Sequence, residues 1–174
     1  MAYNHRLRFS IALFLFLLAC GRKGDSTSTV GFSENPEAHE IHPLSIVEAS
    51  GIADSKANPG YLWVLEDSGK PPQLYLLKHD GTVLKHIFVA QSSNDDWEEL
   101  ALSSGPEAGK NYLYIADIGD NNRNRTEYVI YRVEEPAAQT DTIFQTDRIA
   151  FVFPDGSHKY CCQATHITTR LETL

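Results

Sequence analysis

Cysteine is scarce in this chain, with three among 174 residues, two of them adjacent at Cys161 and Cys162. That excludes a disulfide framework, since neighbouring cysteines bridge one another only with strained geometry. Basic charge is short as well: 15 Lys and Arg stand against 23 Asp and Glu, a net charge of −8 at pH 7. A surface of that sign excludes nucleic acid as a partner, because affinity for nucleic acid comes mainly from Lys and Arg on phosphates. Calcium or another hard cation suits it better. No apolar run is long enough to span a bilayer as a helix; the longest, residues 11–19, has nine residues. A nucleophile elbow of the G-x-S-x-G kind and a phosphate-cradling loop ending in Gly-Lys are both missing. After residue 45 no long helical period occurs either.

The N-terminal text MAYNHRLRFSIALFLFLLAC places Arg6 and Arg8 ahead of the apolar run and a cysteine behind it. This is the layout of a secretory signal peptide over residues 1–19. Leu17-Leu18-Ala19-Cys20 resembles the bacterial lipobox, in which the cysteine is lipidated and becomes the first mature residue. Residues 20–44 then read as a lipidated Cys20 and a flexible tether rich in Ser, Thr, Gly and charge, with too little apolar surface to fold. Taking Arg6 and Arg8 from the 15 basic residues leaves 13 against 23 acidic, a net charge of −10. The expectation is an envelope protein held to a membrane by its lipid; Gly21, where an aspartate would retain it at the inner membrane, points to the outer one.

Residues 45–156 carry short runs of Val, Ile, Leu, Tyr and Trp separated by Gly, Pro, Asn and Asp, which predict strands and turns. The runs are 45–53, 60–67, 73–81, 82–90, 97–103, 111–119, 127–135 and 148–156, and Asp80-Gly81 predicts a tight hairpin between two of them. The text also repeats. LWVLEDSG (62–69) lies on YLYIADIG (112–119), aligning Asp67 with Asp117; QLYLL (73–77) lies on YVIYR (128–132), and SGIA (50–53) on EELA (98–101). Repeats of this length made of four short strands mark propeller blades. The expected fold is all-β, an incomplete β-propeller of about two blades and the start of a third, with a β-sandwich as the alternative. Unpaired strand edges and marginal stability would follow. Residues 157–174 change character and read as an atypical tail, as though a longer propeller were truncated or its frame lost.

Five blocks carry a resemblance: Ser50-Gly51-Ile52-Ala53; Leu62 to Gly69; Asp96-Trp97-Glu98-Glu99-Leu100; Asp117-Ile118-Gly119-Asp120-Asn121; and Tyr131-Arg132-Val133-Glu134-Glu135-Pro136. In this order they resemble the SdiA-regulated and esterase-like phytase families of secreted bacterial propellers. The resemblance implies a β-propeller and a calcium ion near its central channel. It also implies, as the enzymatic possibility, a calcium-dependent phosphoesterase or esterase. His158-Lys159-Tyr160-Cys161-Cys162 departs from the acidic pair that such sequences carry after Phe-Pro-Asp-Gly.

The candidate metal ligands are Asp67, Glu98, Glu99, Asp117, Asp120 and Asn121, whose oxygens suit calcium's demand for six to eight hard donors. Glu98 and Glu99 are neighbours on one strand and point to opposite faces, so one of them faces the channel. For DIGDNNRNR (117–125) a turn is the simpler reading, with Asp and Asn oxygens accepting from nearby backbone; it lacks the spacing of an EF-hand loop. His39 and His42 read as solvated, and Asn124-Arg125-Thr126 as a chance acceptor motif. The favoured function is a propeller-type binding or scaffold domain, truncated and non-catalytic, with an unassigned ligand.

Overall fold

The computed structural model describes residue 31 and residues 34–42 and 46–154. The expected signal peptide, Cys20, most of the expected tether and the residues holding Cys161 and Cys162 lie outside these residues. All regular structure described below falls within Glu37–Leu174.

The protein is all-β, with no helix among the described residues. The described residues form nine strands: β1 (Ala49–Asp54), β2 (Tyr61–Glu66), β3 (Gln73–Lys78), β4 (Val83–Val89), β5 (Trp97–Ser104), β6 (Asn111–Asp117), β7 (Tyr128–Glu134), β8 (Thr142–Ile143) and β9 (Asp147–Phe151). They form two open sheets, ordered β1-β2-β3-β4-β8 and β5-β6-β7-β9. Each sheet is a meander of four antiparallel strands. The first is extended by β8, which leaves the β7 to β9 connection to pair parallel with β4. The run at 148–156 is therefore the fourth strand of the second sheet, and no strand of a third unit occurs among the described residues.

Local chemistry accounts for the strands. β2 and β6 are nearly unbroken apolar runs because both of their faces are covered. β4 alternates exposed and buried residues because one face meets solvent. Between β3 and β4, Gly81 takes φ +84° and the Asp80 carboxylate accepts from Thr82 N at 2.9 Å. The end of the tether-like text lies against this hairpin: His42 N donates to Gly81 O at 3.0 Å and Val83 N to His42 O at 2.7 Å.

The two meanders are equivalent strand for strand, and their shared irregularity gives the register. A bulge interrupts β1 between Ala49 and Gly51 and β5 between Trp97 and Glu99. Counting from it, Gly51 pairs with Leu65 as Glu99 pairs with Ala116, and Ala49 with Glu66 as Trp97 with Asp117. Glu66, not Asp67, is thus the counterpart of Asp117. Both are buried carboxylates, and both accept backbone N–H from the turn before the first strand, Val47 N at 2.8 Å and Asp96 N at 3.0 Å. The text repeat names the right strands but slips by one residue in the second and third.

One core joins the sheets. Trp63, Leu65, Leu74, Leu76 and Ile87 of the first meet Trp97, Leu100, Leu113, Ile115, Tyr131 and Val133 of the second. Each such side chain contributes about 1.5–3 kcal/mol on burial. Under the bulge-based equivalence, Val64, Tyr75 and Leu77 correspond to Ile115, Tyr131 and Val133. They lie on the opposite face of the first sheet, in a small cluster with Ile46. Opposite faces of the two units therefore meet, so the sheets stack in the same sense. At the shared edge β1 touches β5 so closely that a Cβ on Gly51 would lie 2.6 Å from Leu100 N. Glu135 staples the other end, accepting from Ser55 Oγ (2.7 Å), Lys56 N (3.0 Å), Ala57 N (3.0 Å) and Trp63 Nε1 (3.1 Å).

Candidate metal centre

Three carboxylates converge where the sheets abut: Asp67 just beyond β2, Asp96 just before β5, and Glu98 within β5. One oxygen from each lies within 4.8 Å of the others. Main-chain contacts bring them there. Asp67 N donates to Glu48 O at 3.0 Å, while Ile118 N and Gly119 N both reach Asp96 O, at 3.2 and 3.1 Å. Asn94 clamps the sheets together: its Nδ2 donates to Glu66 O (3.1 Å) and Asp67 O (3.0 Å), and its Oδ1 accepts from Trp97 N at 3.1 Å.

Asp96 is the central member. Its carboxyl is pushed up to about 7, first by burial, then by the hydrogen bond and charge of Asp67 and the charge of Glu98, with Arg125 pulling the other way. Its Oδ1 is enclosed and has no hydrogen-bond partner. Gly119 forms one wall, since a Cβ there would lie 2.2 Å from Asp96 Oδ2 and 2.7 Å from Glu98 Oε1. The other side opens into a polar cleft of about 320 Å³ lined by Ser68, Asp95, Asp120, Asn121, Asn122 and Arg125.

This donor set fits calcium. The three carboxylates supply hard oxygen donors close enough together to share one ion, three of the six to eight that calcium takes. A partnerless buried oxygen and mutual carboxylate repulsion are both relieved by a divalent cation.

The six residues singled out from the sequence are dispersed around this centre. Asp67 and Glu98 belong to the cluster. Glu99 points away, its carboxylate accepting from Leu100 N at 2.9 Å and its side chain lining a groove against β1. Asp117 is fully buried and engaged by Arg125 Nη1 at 2.6 Å and Asp96 N at 3.0 Å. Asp120 accepts from Asn124 N (2.8 Å), Arg125 N (3.3 Å) and Tyr128 OH (2.9 Å). Asn121 is exposed on the cleft. Asp96 and Asn94 were absent from that set. The signal for Asp96 was its place two residues before Glu98, a spacing that favours one side of an extended chain; for Asn94 there was none.

No known family, curated protein or solved structure matches the chain.

Proposed function

We propose that the chain is an envelope protein anchored through a lipid on Cys20, whose sheet domain is a propeller-type, calcium-binding scaffold or ligand-binding module. The observation that carries the cation reading is the partnerless Asp96 Oδ1 inside the cluster with Asp67 and Glu98. The propeller reading is supported by the stacking: a symmetric sandwich brings like faces together, whereas successive blades bring unlike faces together, and here Ile115 faces the shared core while its counterpart Val64 lies on the far side of the first sheet. The resemblance to SdiA-regulated and esterase-like phytase propellers agrees with both. The lipobox-like Leu17-Leu18-Ala19-Cys20 and the polar linker support the anchor.

Binding is favoured over phosphoester hydrolysis because Arg125, the basic residue of the cleft, is already neutralised by Asp117 at 2.6 Å and faces Asp95 at 3.8 Å. The test is calorimetric titration of the protein with calcium and with magnesium. One calcium site, lost in Asp96→Asn, is expected; no heat and no thermal shift at millimolar calcium would sink the reading.

A further inference from the structure

We propose that the chain associates with itself head to tail, the outer face of the second sheet in one copy packing on the outer face of the first sheet in the next. The contact would repeat the one that already joins the two sheets within the chain. It rests on the stacking of the sheets and not on the cation centre.

Inside the chain, the second sheet offers Leu100, Ile115, Tyr131 and Val133 to the first. The equivalent positions on the first sheet's outer face are Ile52, Val64, Tyr75 and Leu77. Aliphatic matches aliphatic and tyrosine matches tyrosine, so the first sheet carries on its back a replica of the surface it packs against. The complement is repeated too: Ile130 and Ile149, paired on the outer face of the second sheet, stand where Leu74 and Ile87 stand on the inner face of the first.

Val64, Tyr75 and Leu77 are already covered within the chain by Ile41, Ile46 and Val83, so the open part of the replica is its β1 edge. Ile52 is 59% exposed where its counterpart Leu100 is 3%. Ile130 and Ile149 are half-buried, whereas Leu74 and Ile87 are wholly covered. Ile41 and Ile46 cover part of the first sheet's outer face. Beside them a groove of about 570 Å³ remains along β1, lined by Ala49, Ile52, Leu62, Val64 and Leu77. A second copy is the occupant this favours, because the socket duplicates one that this chain fills with its own sheet. Since the two meeting faces differ, copies add in a row, or in a ring if the rotation closes.

The test is sedimentation velocity of the full chain in a mild detergent across a range of concentrations. The wild type should form concentration-dependent species larger than a monomer. Ile52→Arg and Ile149→Arg, each shown by circular dichroism to be folded, should each be monomeric alone. Mixed in equal amounts they should form a dimer and nothing larger, since each keeps the face the other has lost. If either fails to fold, Ile52→Ser and Ile149→Ser replace them and should each weaken association by about tenfold or more. A wild type that is monomeric throughout overturns the proposal, whether other residues of the chain or an unrelated protein then cover the face. A mixture that stays monomeric while the wild type associates also overturns it. Asp96→Asn should leave association unchanged.

Discussion

Replacing Asp96 by asparagine should change stability with opposite signs in a chelator and in calcium. The Asp96 carboxyl titrates near 7 in the fold against an ordinary value of 3.8. The folded protein therefore holds this proton more tightly than the unfolded chain, and ionising Asp96 costs stability. The sign follows: the penalty is absent below about pH 4, grows between pH 4 and 7, and is complete above 7. At about 1.36 kcal/mol per pH unit the whole shift would correspond to roughly 4 kcal/mol. Asp96 is only half-buried and solvent screens it, so about 1–2 kcal/mol is the working figure. Asparagine keeps the shape, removes the charge and can still donate toward Asp67. In a chelator at pH 8 the variant should be more stable than the wild type by about 1–2 kcal/mol, and at pH 4 the two should coincide. Calcium at a hundredfold excess over Kd should add about 2.7 kcal/mol to the wild type and almost nothing to the variant. Urea unfolding reads this through tryptophan emission, since Trp63 and Trp97 are both wholly buried and become exposed together. A variant less stable than wild type at pH 8 in chelator would refute the electrostatic reasoning. One that gains as much from calcium as the wild type would refute the site.

Three further substitutions test the frame around the cluster. Glu135→Ala leaves four donors without their acceptor and should cost about 3–4 kcal/mol in urea unfolding; a loss under about 0.5 kcal/mol would show that water replaces the staple. Gly51→Ala drives a methyl to 2.6 Å from Leu100 N and 2.9 Å from the Glu99 carbonyl carbon, parting β1 from β5 at a cost of about 2–4 kcal/mol. Its thermal midpoint should fall accordingly, and an unchanged midpoint would mean that the sheets do not abut there. Gly119→Ala places its methyl 2.2 Å from Asp96 Cγ and should abolish the calcium heat while the chain stays folded; calcium binding retained at wild-type strength would move the site elsewhere.

Much of the fold was legible because a strand is a local event. The alternation in β4, the apolar runs of β2 and β6, and the Asp80-Gly81 turn each announce themselves within a few residues, and eight of the nine strands follow from such runs. β8 did not, because two residues, Thr142 and Ile143, carry no period; their pairing depends on where the β7 to β9 connection meets the edge of β4. The repeat was legible as similarity and not as register. Letter identity aligns Asp67 with Asp117, whereas the bulges at Ala49 and Trp97 make Glu66 the true counterpart, a carboxylate one methylene longer. Of the candidate ligands, Asp120 accepts from nearby backbone N–H groups, as the turn reading of 117–125 expected, and from Tyr128, while Asp117 is taken up by Arg125.

What the sequence by itself determined is the set of strands, their grouping into two similar units and the acidic character of the loops between them, since each depends on residue type and short-range spacing. Tertiary structure alone decided which carboxylates meet. Asp67 and Asp96 lie 29 positions apart, each just outside a strand of a different sheet, and they become neighbours only because Gly51 lets β1 close on β5 and Asn94 ties the two sheets together. Proximity between distant residues is set by packing, and packing is a property of the whole chain.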